Sequence, residues 1–186
     1  MELWLALASR REVRDYAPTP IPPEVERRIL DAGRLAGSGK NRQPWRFLVV
    51  ESPDKREALA GLVFAPGNVR GAQLVVGIAV SGKGPASLDA GRCAQNMLLA
   101  AWDEGVGGSP NGTPDSEALG ELLALREGER AAIVLTFGYP ARPRDPAARP
   151  AEEWSARANR KPLDELVERI LAGAPRPRLC STRTSS

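Results

Sequence analysis

The chain has 186 residues, no histidine, two cysteines and a formal net charge of +3. That length predicts one domain with a core large enough to stand without staples, and 42% hydrophobic residues argue against wholesale disorder. Without histidine a Ser-His-Asp triad is excluded, and Cys93 and Cys180 show no metal-ligand spacing, so no metal site is expected.

In chain order, Glu2–Ala8 carries Leu3, Leu5 and Leu7 among alanines and predicts a short helix. No basic segment followed by a long apolar stretch opens the chain, so a cytoplasmic location is the default expectation. Pro18–Pro23 is too proline-rich to continue a helix and predicts an extended connector. A helix is expected from Pro23, a good first-turn residue, to about Leu35, with Val25, Ile29 and Leu30 as its apolar stripe. Gly37–Pro44 is rich in turn formers and reads as a loop, followed by a strand at Trp45–Val50. Ser52-Pro53-Asp54 starts a helix over Lys55–Val63, and Ala65–Gly71 is expected to be a loop. Gln73–Val80 is a second, buried strand; its apolar core Leu74–Val80 is far short of the roughly 20 residues of a membrane helix.

Gly82–Ser87 reads as a flexible link. The longest helix is expected from Leu88 or Asp89 to Glu104, with Ala94, Met97, Leu98 and Ala101 at i, i+3, i+4 and i+7. Gly105-Val106-Gly107-Gly108 is a strong stop signal, and the run to Gly112 reads as a glycine-dense loop. Ser116–Leu125 predicts a short helix and Ala131–Gly138 a third buried strand. The stretch 141–150 is expected to have low order unless something pins it. A last helix is expected over Leu163–Leu171, and residues 173–186 as a frayed, flexible tail. Strands separated by helices point to an α+β or three-layer domain over residues 1–172, with a parallel component open.

Four segments are more polar or glycine-rich than packing requires. Ser9–Arg14 places Arg10, Arg11 and Arg14 beside a serine; they could wrap a phosphate, or form a basic helix end favoured by the helix dipole. In Ser38–Trp45 the amides of Asn41 and Gln43 offer donors and acceptors for the edge of a heterocycle, or simply satisfy a turn. Gly105–Gly112 lets backbone approach a flat ligand, or only terminates a helix; it is neither a P-loop nor a dinucleotide fingerprint. Arg160 and Lys161 could close on the same phosphate as the N-terminal arginines, or be a solvated helix entry. A nucleic-acid module ranks far lower, because the arginines lack aromatic interleaving.

In order, these segments resemble the nitroreductase family of FMN oxidoreductases. The resemblance is carried by Ser9-Arg10-Arg11-Glu12-Val13-Arg14-Asp15-Tyr16 and by Ala36-Gly37-Ser38-Gly39-Lys40-Asn41-Arg42-Gln43-Pro44-Trp45. Asp89-Ala90-Gly91-Arg92, Ala94–Ala101, Gly138-Tyr139-Pro140 and Arg160–Glu165 extend it, so it spans about Leu3 to Val167. It implies a three-layer α/β/α sandwich with a mainly antiparallel central sheet, in an intertwined homodimer with FMN at the interface.

The same resemblance implies that Arg10, Arg11 and Arg14 contact the FMN phosphate and ribityl chain or the flavin edge. Arg160 and Lys161 would complete the phosphate site. Ser38, Asn41 and Gln43 would approach the flavin from the opposite subunit, and backbone at Asn111 and Gly112 would lie near its redox-active edge. NADH or NADPH would then be the electron donor, and a nitroaromatic, quinone or similar small molecule the acceptor, with the chemistry carried by FMN rather than by a catalytic side chain. Alternatives within the fold are a flavin-dependent dehydrogenase or dehalogenase-like enzyme, or a flavin-binding protein without turnover. Glu12 and Gly37 stand where the family has a small hydroxyl residue and a proline. Gly108-Ser109-Pro110-Asn111 replaces a more apolar and aromatic sequence.

Overall fold

A computed structural model describes residues 1–82 and 84–170. Lys83 in the expected link, Cys180, the expected tail and the last residue of the expected C-terminal helix lie outside them. Seven helices and four strands alternate through the described residues. The helices are α1 (Leu3–Ser9), α2 (Pro23–Arg34), α3 (Pro53–Leu62), α4 (Pro66–Gly71), α5 (Ala86–Asp103), α6 (Ser116–Leu122) and α7 (Ala151–Ala156). The strands are β1 (Trp45–Val49), β2 (Leu74–Ser81), β3 (Gly107–Asn111) and β4 (Glu129–Gly138), in the order β1-β2-β4-β3 with every ladder antiparallel. The parallel component left open by the sequence shrinks to one bridge, Glu12 to Gly108.

Strand β2 explains the layering. Leu74, Val76, Ile78 and Val80 join Ile29 of α2, Met97 of α5 and Phe137 of β4 in one core. Val75 points the other way, into a core with Leu59 of α3, Val69 of α4, Leu119 of α6 and Val134 of β4. Both faces of the sheet are covered by helices, so its central strands read as continuous apolar runs instead of alternating ones. No helix among the described residues is long and apolar enough to cross a membrane.

Local signals set most boundaries. Pro23 and Pro53 occupy first-turn positions, and the Ser52 and Asp115 side chains accept backbone N–H groups at the starts of α3 and α6. Gly105, at φ +74°, ends α5 in a left-handed residue that turns the chain into β3.

Tertiary contacts overrode four expectations. Residues 66–71, expected as a loop, form α4, because Pro66 suits a first turn and Val69 is fully buried. Arg56 then donates to the carbonyls of Val50, Ala72 and Gln73, fixing the exit of α4 against the end of β1. The glycine-dense loop becomes edge strand β3, where Pro110 is tolerated because its missing N–H faces no neighbour strand. Gly107 admits the N-terminal arm, since a Cβ there would stand 2.5 Å from Val13, and Gly108 admits the core, since a Cβ there would stand 2.7 Å from the Phe137 ring. Helix α5 starts at Ala86, two or three residues ahead of the expected Leu88 or Asp89 and inside the expected link. Finally, the expected helix from Leu163 is only a 3-10 turn at Leu163–Glu165, with no helix on to residue 170. Leu163, Leu166, Val167 and Ile170 are exposed there, so no apolar face is buried to support a helix.

One ion pair clamps the sheet. Arg46 of β1 reaches across β2 to Glu129 of β4, Nε donating to Oε1 at 2.9 Å and Nη2 to Oε2, while the Arg126 N–H donates to Oε2 at 2.8 Å. Hydrogen bonding from Arg46, then from the Arg126 backbone, holds the Glu129 carboxyl down to about 2. Its folded value is below its ordinary 4.5, so this stabilisation is present above pH 4.5 and is lost as pH falls towards 2. Melting curves of the wild type and Glu129→Gln should therefore differ at pH 7 and converge towards pH 2; a constant gap would refute the pairing's role.

Candidate functional site

The N-terminal arm is built first. Ser9, buried at the end of α1, donates to the Leu5 carbonyl at 2.6 Å and accepts from Trp102 Nε1 of α5 at 2.9 Å. Beyond it the chain runs extended across β3, with the Val13 N–H on the Gly108 carbonyl at 3.2 Å and Tyr16 bridging Pro140. The Tyr16 hydroxyl lies 2.7 Å from the Val13 carbonyl and 3.0 Å from Thr136 Oγ1; burial pushes it up to about 12, so it stays a neutral strut.

This arm displays the expected arginines. Arg14 is exposed. Arg10 donates through Nη2 to Glu12 Oε1 at 2.9 Å, while Glu12 Oε2 is buried without a hydrogen-bond partner. The carboxylate that departs from the family pattern thus pairs with Arg10. Arg11 donates through Nη1 to the carbonyls of Ala8 (2.7 Å) and Arg10 (2.9 Å) and through Nη2 to that of Trp154 (3.1 Å). Burial, then repulsion from Arg160, Arg144 and Arg10, holds the Arg11 guanidinium below its ordinary value. Arg10, Arg144 and Arg160, from both ends of the chain, each bear on the charge of Arg11. Arg144 was not legible as a member, because nothing in its proline-rich stretch sets it apart. Lys161 is exposed beside Arg160.

The second group is the loop after α2. Ser38 Oγ accepts the Gln43 N–H at 2.8 Å and closes the loop on itself. Lys40, Asn41 and Gln43 all take positive φ, at 54°, 55° and 50°. Three non-glycine residues in the left-handed region within four positions concentrate strain, a pattern typical of ligand-binding backbone. The Asn41 and Gln43 side chains are exposed, with Gln43 Nε2 only weakly held by the Asn41 carbonyl at 3.5 Å. No hydrogen bond or ion pair among the described residues links this loop to the arginine cluster.

The third group surrounds Asn111. Its buried side chain accepts from Asn68 Nδ2 at 2.7 Å and donates to the Ser109 carbonyl and to Thr136 Oγ1, both at 3.0 Å. That side chain is fully engaged within the protein, so only backbone at Asn111 and Gly112 remains to face a ligand. Phe64, which carried no signal just past the expected helix Lys55–Val63, is exposed beside them, its N–H donating to the Gly112 carbonyl at 3.1 Å.

Comparison with known proteins bears on these groups. A family model described as the nitroreductase family matches residues 7–79 and 79–139. A protein of Archaeoglobus fulgidus provisionally named an NADH dehydrogenase/NAD(P)H nitroreductase is 32% identical over 143 residues, 71% of this chain and 82% of the relative. A Methanothermobacter thermautotrophicus protein of the same provisional name is 27% identical over 150 residues, 76% of this chain and 78% of its own. Among solved structures, a provisionally named nitroreductase of Desulfovibrio desulfuricans in complex with FMN superposes with a TM-score of 0.74 at 28% identity, covering 92% of this chain and 98% of that one.

Proposed function

The chain belongs to the nitroreductase family, and from that premise we propose that it is an FMN-dependent NAD(P)H oxidoreductase, a cytoplasmic homodimer that reduces a nitroaromatic, quinone or similar small acceptor. The observation that carries this reading is the docking of α7 on α1 through Arg11 and Trp154, which brings the segment leading to Arg160 against the arm that bears Arg10, a set of cations that a dianionic phosphate would satisfy. FMN, when bound, would supply two-electron redox chemistry between NADH or NADPH and the acceptor, in keeping with ping-pong kinetics.

The chain's own residues bind and orient. Arg10, Arg14, Arg160 and Lys161 supply charge-assisted donors to the phosphate, with Arg11 adding its charge. The strained Ser38–Gln43 loop, with the exposed amides of Asn41 and Gln43, offers polar groups to a heterocycle edge from the opposite subunit. Backbone at Asn111 and Gly112 would face the redox-active edge, and the exposed ring of Phe64 beside them suits a flat aromatic acceptor. A dimer is favoured by apolar surface that one chain leaves uncovered: Leu3, Trp4 and Leu7 on α1, and Leu163, Leu166, Val167 and Ile170 near the end of the described chain.

The purified protein should be yellow, and heating should release a flavin that chromatographs as FMN. A colourless protein that FMN does not reconstitute would overturn the proposal. Oxidation of NADH and NADPH with a nitrofuran or quinone should give parallel double-reciprocal lines. A yellow protein inert in that assay would be a flavin-binding protein without turnover.

A further inference from the structure

Arg11 is chemically unlike its neighbours Arg10 and Arg14, although all three fall in one motif. Three of its N–H donors are already directed at carbonyls: those of Ala8 and Arg10, which end α1, and that of Trp154 in α7. Its guanidinium also stands over the Trp154 ring, 5.9 Å from the centroid, and Arg149 stands over the same ring at 5.2 Å. A guanidinium engaged in this way has little left with which to fork a phosphate.

Trp154 is fixed from the other side. Its indole Nε1 donates to the Pro146 carbonyl at 2.8 Å, and Asp145 caps the turn that begins there by accepting the Ala147 N–H at 2.9 Å. Glu153, next to it, accepts from Arg149 at 2.7 Å and Arg157 at 3.2 Å. Helix α7 has only six residues and packs on α1. A helix that short does not persist without such docking. After α7 the chain reverses at Asn159, at φ 51°, and Arg160 follows with Nη1 on the Ala158 carbonyl at 3.2 Å. The position of Arg160 is therefore set by where α7 is docked.

We propose that Arg11 and Trp154 are a positioning pair: they lock α7 onto the end of α1 and so hold Arg160 in place to share one anion with Arg10. The pair acts through the segment it docks and does not itself touch the phosphate. The anion site is thereby assembled from the two ends of a single chain before any ligand arrives. The stack and the hydrogen bonds of Arg11 on Trp154 hold this arrangement together although it sets several cations near one another. This inference rests on the function proposed above for the identity of the anion.

The test uses the full chain and compares affinities for FMN and for riboflavin, which lacks the phosphate, together with inorganic phosphate as a third probe. Trp154→Ala and Arg11→Lys should each weaken FMN binding at least about tenfold while riboflavin stays within about twofold. Lysine keeps the charge but not the fork and the stack, so it should fail to rescue. Adding Arg160→Ala to Trp154→Ala should cost no more than about a further twofold, since both remove one contact. The inference is overturned if Arg11→Lys binds FMN like the wild type, if either variant loses both flavins in parallel, or if the Trp154 and Arg160 effects multiply. Should the wild type bind neither flavin, the proposed function fails and phosphate alone decides. Loss of phosphate binding in both variants would support the pair; unchanged binding, or none in the wild type, would refute it.

Discussion

Replacing Arg10 and Arg160 together by alanine is expected to strip the protein of FMN while leaving its affinity for riboflavin within about twofold. Hydrogen bonds to charged groups contribute about 1.5–3 kcal/mol each. Two such partners lost from a phosphate amount to roughly 3–6 kcal/mol, or about a hundred- to ten-thousandfold in affinity. The two residues come from opposite ends of the chain, and the docking of α7 on α1 through Arg11 and Trp154 is the physical link between them. Arg10 already donates one hydrogen bond to Glu12, so its remaining donors are the ones at stake. Equilibrium dialysis against FMN and riboflavin measures both effects. Retention of FMN at wild-type affinity in the double variant would remove these two residues from the site.

The second large effect is on stability. Asn111→Ala removes the central member of a buried chain that runs from Asn68 through Asn111 and Thr136 to Tyr16. It deletes three hydrogen bonds and leaves Asn68 Nδ2 with no acceptor in a buried setting. An orphaned buried polar group costs about 1–3 kcal/mol. With the space left by the amide, the expected loss is about 2–4 kcal/mol in urea unfolding. A change below about 1 kcal/mol would show that the network contributes little. The variant bears on the site as well, since this network holds β3 and the N-terminal arm on β4, and both carry residues proposed to face the flavin.

Much of this molecule was legible in the sequence, and the reasons can be named. Helices α2, α3, α5 and α6 announce themselves by caps, first-turn prolines and 3.6-residue periodicity, which are local properties. Strands β1, β2 and β4 are short apolar runs between turn signals. Their antiparallel order is not a local property, and the residues alone left it open until the family resemblance favoured it. Helix α4 was missed because its proline, glycine and asparagine look like a turn, whereas buried Val69 and the Arg56 staple act from a distance. The same holds for β3: Gly107 and Gly108 signal a stop, yet the bare Gly107 is what lets the N-terminal arm lie against the sheet, and the bare Gly108 leaves room for Phe137 and Leu98.

The arginine motif shows the division most clearly. From the sequence alone, Arg10, Arg11 and Arg14 were equivalent candidates for a phosphate, because spacing and charge do not distinguish them. That a basic, histidine-free chain of this pattern belongs among FMN-type folds was readable in its ordered motifs. Which arginine is free to meet an anion was decided only by tertiary structure. Arg11 is taken up by carbonyls and by Trp154, 143 residues away, and Arg144 and Arg160 enter only when the chain's end folds back on its start. Residue type records what a side chain is able to bind; its partners in the folded chain determine which of those bonds are already made.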